Sequence, residues 1–297
     1  MDIRQLRRFV TVADLGSFNK ASEALAISQP SLSRSIQMLE DALDIKLFER
    51  SSRGIYLTAQ GEELLPHARI IMTERDRALA TINSLRNRRE EKLTLGTESM
   101  FTVNRLPVAI SMLAISDPNV QVIVKEGSFH ELLERVREGR LQMALGSKAP
   151  DLDMNGLTFE ELSVEGASIL LRANHPLLKN GKPSLKNLTR ARWIVPDNPV
   201  MYKRWEQLFN MHNLPRPQIG LRTSSFLLMK GCLLNCDLVS MGNHREYADE
   251  INAGELIKID FGETAYMRPV GLFWRAEALL SRSEKTFIAA LKKISQS

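Results

Sequence analysis

Two short amphipathic helices joined by a tight turn near the N-terminus constrain this chain more than any other feature. Apolar residues recur at helical spacing from Ile3 to Ala13, and Gly16 ends that first helix. Ser17 is predicted to cap a second helix over residues 18–25, and Ser28 a third, with Pro30 in its first turn. The buried side of the third helix is predicted to be formed by Leu32, Ile36, Leu39 and Leu43. This is the spacing of a helix-turn-helix, placed at about residues 18–37.

The exposed side of the third helix carries small polar residues together with glutamine and arginine. The polar side begins with Gln29, Ser31, Ser33, Arg34 and Gln37. A helix that enters the major groove, which is about 12 Å wide, needs small side chains and a few base-reading ones. A plain three-helix bundle with a solvated polar face would show the same periodicity.

A basic turn between two predicted short strands favours the nucleic-acid interpretation. Residues 47–58 alternate as two strands around Arg50 and Arg53, which are placed to contact phosphates or a minor groove. Such a hairpin after a helix-turn-helix is a wing.

The first 60 residues resemble the winged helix-turn-helix of the LysR-type transcriptional regulators. The matching stretches are Leu6-Arg7-Arg8-Phe9-Val10, Gly16-Ser17-Phe18, Ala21-Ser22-Glu23-Ala24-Leu25, Ser28-Gln29-Pro30-Ser31-Leu32-Ser33, Leu47-Phe48-Glu49-Arg50 and Leu57-Thr58-Ala59-Gln60-Gly61. The resemblance implies sequence-specific binding of double-stranded DNA, with Gln29, Pro30, Ser33, Arg34 and Arg53 near the DNA.

A long helix is predicted over residues 59–89, with one apolar stripe in steps of four and three. The stripe consists of Leu64, Ala68, Ile71, Ala78, Ile82 and Leu85, with Arg75 as its one polar member. A helix this long with a single apolar stripe needs a partner, and we expect a second copy of the chain. The alternative is a helix that packs on its own domain.

The remaining two-thirds alternate strands and helices, which predicts a mainly parallel sheet in each of two α/β lobes. Two crossovers, near residues 166–172 and 270–274, are expected to join the lobes and leave a cleft. This region resembles the effector-binding domain of the same family, with the fold of type 2 periplasmic binding proteins. The predicted domains are 1–58 (DNA-binding), 59–89 (linker and dimerisation) and 90–297 (effector-binding, with lobe I at about 93–165 and 268–297 and lobe II at about 166–267).

Ligands of open α/β sheets bind beyond the carboxyl ends of the strands. The residues placed there are Ser99, Met100, Phe101, Thr102, Ser128, Ser147, Met201, Thr223 and Ser224, with Lys148 the nearest cation. Hydroxyls and helix N-termini favour an anion, and the apolar members suit an apolar or aromatic body. The predicted effector is a small molecule such as a carboxylate or an aromatic acid, although Ser128 also reads as a helix cap.

The two cysteines leave a second regulatory hypothesis open. Cys232 and Cys236 are four residues apart on a predicted helix, where the Cβ directions suit a disulfide poorly. We expect two buried, inert thiols, and an oxidant-sensing regulator on the same scaffold is the alternative. Cys236 stands where the family usually has glycine, and Asn235 is expected to adopt the left-handed conformation instead.

Composition and motifs weigh against other classes. Only two cysteines, no secretory h-region and no apolar run of about 18 residues favour a cytoplasmic protein, here expected at the bacterial nucleoid. The net charge of +5 is spread along the chain. We find no hydrolase, phosphate-loop or metal motif, and therefore expect no enzyme, cofactor or metal. RNA polymerase and a second copy are expected partners. A solute-binding or enzymatic α/β protein with a helical cap is the alternative from another class.

Overall fold

The computed structural model describes residues 1–51, 54–85, 91–260 and 267–295. Its N-terminal part consists of α1 (Ile3–Leu15), α2 (Phe18–Ala24), α3 (Gln29–Leu43) and the antiparallel hairpin β1 (Phe48–Ser51) and β2 (Gly54–Leu57). The predicted caps are confirmed, because the Ser17 and Ser28 hydroxyls each accept a backbone N–H, both at 3.4 Å. Ala26 takes a φ of 52° in the turn before α3, a conformation that ends α2 sharply.

The long helix α4 (Ala59–Leu85) begins inside the N-terminal domain. Thr58 Oγ1 accepts the Gly61 N–H at 3.0 Å and donates to the Lys46 carbonyl at 2.6 Å, which fixes the start of α4 on the base of the hairpin. Gly61 is required there, since a Cβ would come within 2.3 Å of the Leu47 carbonyl oxygen.

The first part of α4 completes the core of the N-terminal domain. Leu65 and Ala68 are buried with Leu6, Phe9 and Val12 of α1. The expectation that Ala68 faces a second copy is therefore wrong, because this small side chain lets α4 approach α1 closely. The alternative of packing on its own domain holds for this first part of the helix.

Lobe I contains a five-stranded sheet in the order β4-β3-β5-β12-β6. The strands β3, β4 and β5 are parallel, and β12 is antiparallel to β5 and β6. The helices α5 and α11 cover one face and α6 the other, each over an apolar cluster. The bounds are β3 (Glu91–Thr97), α5 (Arg105–Ser116), β4 (Val120–Glu126), α6 (Phe129–Arg137), β5 (Met143–Ser147), β6 (Leu157–Glu165), β12 (Arg268–Arg275) and α11 (Arg282–Ser295).

Lobe II contains a second five-stranded sheet in the order β11-β7-β10-β8-β9, in which β8 is parallel to β9 and β10. The strand β7 is antiparallel to β10 and β11. The bounds are β7 (Ala167–Arg172), α7 (Leu185–Leu188), β8 (Arg192–Pro196), α8 (Pro199–Asn210), β9 (Gln218–Thr223), α9 (Phe226–Asn235), β10 (Leu238–Asn243), α10 (Ala248–Asn252) and β11 (Leu256–Ile259).

Several local features differ from the expectations. The strands β6 and β11 were not predicted, and β3 includes Glu91 and Lys92. Asn235 does not take a positive φ; its amide instead donates to the Gly231 carbonyl at 2.8 Å, and Cys236 continues in extended conformation. Cys236 is exposed rather than buried, and Cys232 is half-buried.

Ion pairs join α4 to lobe I. The buried Arg69 guanidinium pairs with Asp14 of α1 and, at 3.2 Å, with Glu138 directly after α6. Further along α4, Arg77 pairs at 2.8 Å with the buried Glu284 of α11. The linker helix is thus held by the N-terminal domain at one end and by lobe I along the next turns.

Candidate DNA-binding surface and ligand cleft

The polar side of α3 lies on the surface of the N-terminal domain. Pro30, Ser31 and Arg34 are exposed, whereas Gln29 and Ser33 are half-buried. The Gln29 side-chain amide donates to the Ser33 hydroxyl at 2.9 Å, one helical turn on. A narrow face of small polar groups with one guanidinium is the kind of helix surface that fits a major groove.

Glu40, at the end of α3, fixes the hairpin relative to this face. Its carboxylate accepts the Leu47 N–H at 2.8 Å and the Lys46 ammonium at 2.7 Å. Burial opposes ionisation, but these hydrogen bonds together hold the pKa of Glu40 below its usual value. Arg50 belongs to β1, while its side chain and the whole of Arg53 lie outside the described residues.

A cavity of about 110 Å³ lies between the two lobes. The ends of β5 and β6 and the start of β12 form its lobe I side, and the start of β7, one face along α8 and the end of β10 form its lobe II side. Its lining is mainly apolar and includes Met100, Leu208, Met241 and Val270.

Three of the nine residues predicted to meet an effector line this cavity, namely Met100, Ser147 and Met201. Of the other six, five make hydrogen bonds at the ends of elements, and Phe101 is buried in the lobe I core. Ser128 caps α6, Thr102 donates to the Ser99 carbonyl, Thr223 accepts the Ser225 N–H, and Ser99 donates to the Ser224 carbonyl at 3.4 Å. The last of these bonds joins the two lobes outside the cavity.

Two cations of the cavity were missed. Arg204 of α8 and Arg268 of β12 line it from opposite lobes, while the predicted cation, Lys148, lies over the Phe159 ring at 5.1 Å. The pattern on α8 carried a signal, because Met201, Arg204, Leu208 and Met211 recur at the spacing of one helical face. Arg268 had no such signal, since only the sheet order places β12 at the cleft.

Carboxyl groups near the cavity have perturbed pKa values. Burial raises the pKa of Glu98, and the nearby Arg268 opposes this. Deeper in the hinge, Glu165 pairs with Arg105 and accepts from the Asn243 amide. Burial, with Glu165 as a neighbouring charge, raises the pKa of Glu246 to about 7, although Arg105 opposes it.

The predicted dimer stripe on α4 is partly exposed in the single chain. Ile71 is 39% exposed, Ile82 is 49% exposed, and Leu79 beside them is 41% exposed. Ala78 is exposed and Leu64 half-buried, whereas the side chain of Leu85 is outside the described residues. The stripe that remains for a partner therefore begins at Ile71.

Over the described ranges 1–51, 54–85, 91–260 and 267–295, other site types have little support. No group of three or more His, Cys, Asp or Glu side chains there is arranged to hold a metal ion. No helix in that part of the chain is long and apolar enough to cross a bilayer. The two thiols are free.

Comparisons with known proteins agree with this architecture. Residues 3–62 match the family model "Bacterial regulatory helix-turn-helix protein, lysR family", and residues 86–295 match "LysR substrate binding domain". The transcriptional regulator GbpR of Azospirillum brasilense is 27% identical, over 99% of this chain and 87% of that protein. The SDS degradation transcriptional activation protein of a Pseudomonas species (strain ATCC 19151) is 31% identical, over 94% of this chain and 92% of that protein.

A solved structure shares the fold over the whole length. Full-length CbnR complexed with its target DNA superposes with a TM-score of 0.66 at 20% identity, over 99% of this chain and 100% of that one. The family models together span nearly the whole chain, which resolves the choice between a plain helical bundle and a winged helix-turn-helix. The chain belongs to the LysR family of DNA-binding transcriptional regulators and carries that family's effector-binding domain.

Proposed function

We propose that α3 reads base edges in the major groove of double-stranded DNA. Gln29, Ser31, Ser33 and Arg34 are the base-facing residues, and Pro30 sets the first turn against the backbone. Arg50 and Arg53 of the hairpin contact phosphates. The observation that carries this assignment is the exposed polar face at the N-terminal end of α3, which is set on a domain whose other helices are buried against each other.

The proposal extends to the other parts of the chain, each of which is assigned one function. Residues 1–58 bind DNA, 59–89 pair two copies, and 90–297 bind the effector, with lobe I at about 93–165 and 268–297. A two-fold pair along α4 implies an inverted repeat with half-sites about one helical turn apart. The exposed stripe from Ile71 to Ile82 supports the pairing.

The lobe cleft is proposed as the effector site. It lies at the hinge, where a ligand contacts both lobes and changes their closure, and such coupling is typically worth about 1–3 kcal/mol. We further propose that the protein acts in the cytoplasm, at the nucleoid, and that it contacts RNA polymerase there. No observation in the structure favours an enzyme or an oxidant sensor over this function.

Selection of binding sites from random DNA by the purified chain tests the DNA-binding assignment. Once a site is obtained, Gln29→Ala is expected to cost about 1–3 kcal/mol of discrimination between that site and random DNA, because Gln29 is assigned a base contact. Competition binding at fixed salt measures this difference. Gln60→Ala, an exposed glutamine near the start of α4, is the matched control.

The outcome depends on how the two affinities change. A selective loss for the chosen site supports base readout by α3. If Gln29→Ala lowers the affinity for selected and random DNA by the same factor, Gln29 contacts only the backbone and the assignment of α3 as the reading helix is wrong.

A further inference from the structure

The backbone donors in the first turn of α3 do not engage the Gln29 side chain. The Ser28 hydroxyl accepts the Ser31 N–H at 3.4 Å, and the Ser28 carbonyl accepts the Leu32 N–H at 3.0 Å. Pro30, in the same turn, has no backbone N–H to donate. These residues therefore offer no free N–H to the Gln29 amide carbonyl, which is not drawn into capping the helix.

A hydrogen bond within α3 instead sets the direction of the Gln29 amide. Its Nε2 donates to the Ser33 hydroxyl at 2.9 Å, one helical turn on, and both side chains are half-buried at the surface of the domain. A glutamine amide has two N–H donors and one carbonyl oxygen that accepts. With one N–H bonded to Ser33, the groups of Gln29 that remain for DNA are one N–H and the carbonyl oxygen.

This remaining pair of groups fits one purine better than the other. In the major groove, adenine presents the N7 acceptor beside the N6 amino donor, whereas guanine presents two acceptors, N7 and O6. One N–H and one carbonyl oxygen complement adenine. Guanine would require two donors, and the second N–H of Gln29 is already bonded to Ser33. The Gln29 carbonyl would then face guanine O6 with no hydrogen between the two oxygens.

Resting on the proposed role of α3 as the reading helix, we propose that Ser33 is a positioning residue that makes Gln29 select adenine over guanine. Ser33 acts on specificity through the Gln29 amide, by occupying the donor that guanine would need. It also holds a flexible side chain in place before DNA arrives, which lowers the ordering cost of binding.

Competition binding with every base pair at every position tests the proposal. A site selected from random DNA by the full chain is changed to each of the other three base pairs at each position, and the wild type is compared with Gln29→Ala. The wild type is expected to prefer A·T over G·C by about fivefold or more at a position where Gln29→Ala loses that preference, because a bidentate contact discriminates by about this much.

Ser33 variants show whether the hydroxyl is responsible. At that same position, Ser33→Ala is expected to lower the ratio of A·T to G·C affinity about threefold or more, the share of one hydrogen bond, because the freed N–H can turn toward guanine. Gln29→Ala combined with Ser33→Ala should give the same ratio as Gln29→Ala alone, since Ser33 acts through Gln29. Ser33→Thr keeps a hydroxyl and is expected to retain the adenine preference.

Thr11→Ala is the matched control. The Thr11 hydroxyl donates to the Arg7 carbonyl at 2.8 Å, one turn back on α1, so the change removes a bonded hydroxyl of the same domain and leaves the Gln29 amide as it is. It is expected to keep the wild-type ratio at every position. The comparison of the wild type with Gln29→Ala involves no change at Ser33, so it tests the choice of adenine even if Ser33→Ala fails to fold.

The outcomes that overturn the proposal leave α3 in place as the reading helix. A Gln29-dependent position that prefers G·C would mean that Ser33 donates to the amide carbonyl. An adenine preference that survives Ser33→Ala, or additive losses in the double variant, would mean that Ser33 does not act through Gln29. If instead Gln29→Ala lowers the affinity for selected and random DNA by the same factor, with no position depending on it, the proposed function fails as well.

Discussion

At the scale of single residues, the buried carboxyl of Glu246 makes the folding stability of the protein depend on pH. Its side chain is 3% exposed, and its pKa is raised to about 7 by burial and by Glu165, against the opposing charge of Arg105. A carboxyl whose pKa rises on folding binds a proton more tightly in the native state than in the unfolded chain. Folding stability then falls as pH rises from about 4.5, the unfolded value, to about 7.

Glu246→Gln is expected to remove this dependence. Relative to the wild type, the variant should gain unfolding free energy across pH 4.5–7, by up to about 3 kcal/mol above pH 7. Urea unfolding followed by tryptophan fluorescence measures it, since Trp193 and Trp205 lie in the lobe II core. Glu134→Gln controls for replacing a carboxyl by an amide on a partly exposed surface. If the difference in unfolding free energy between the wild type and Glu246→Gln stays constant over this pH range, the pKa of Glu246 is not raised by folding.

Residue roles were predictable where a short stretch of sequence determines them. Ser17, Ser28 and Ser128 each cap the helix that follows, because the hydroxyl and the N–H it accepts are three residues apart. The cations of the cleft depend instead on which strand lies beside which. Arg268 meets Met201 only because the chain returns to lobe I after completing lobe II.

At the scale of elements, α4 has two parts that differ in burial along its length. Its first turns belong to the N-terminal core, and the stripe from Ile71 onward is left for a partner. Ile71→Asp combined with Ile82→Asp is expected to abolish the dimer, because two carboxylates would be buried in an apolar seam. Light scattering after size-exclusion chromatography at micromolar concentration measures the mass. The monomer fold should survive, since both side chains are exposed in the single chain.

His67→Asp is the matched control for that pair, since it adds a carboxylate to an exposed position on the same helix. It is expected to leave the mass unchanged. If the double variant stays dimeric while remaining folded, the pairing surface lies elsewhere. If the wild type is itself monomeric at micromolar concentration, α4 does not pair two copies.

Periodicity predicted most elements and missed two strands, one because charged residues conceal its alternation and one because it is short. The strand β6 contains Glu160, Glu161 and Glu165, which conceal its alternation, yet it pairs with β12 along its length. The strand β11 has only four residues, two of them exposed. Both lie at sheet edges, where one side of the strand needs no partner.

At the scale of the whole molecule, α4 connects DNA binding with the effector lobes. Arg69 joins Asp14 of the N-terminal domain to Glu138 of lobe I, and Arg77 joins the helix to Glu284. Lobe I is therefore joined to the helix that carries the N-terminal domain through partly or fully buried ion pairs. These long-range pairs could not be predicted, since 55 and 69 residues separate Arg69 from its two partners.

Because the chain returns to lobe I after completing lobe II, the fold also sets the order in which the two lobes can fold during synthesis. Lobe II is built from one continuous stretch, whereas the lobe I sheet needs β12, which lies between β5 and β6, and α11 is added later still. During synthesis, lobe II can fold while lobe I still lacks an interior strand. Pulsed proteolysis of ribosome-bound chains is expected to show protection of residues 167–259 before protection of 91–165. Simultaneous protection would mean that the earlier strands of lobe I form a stable sheet without β12, and that the last part of the chain to be synthesised does not limit assembly.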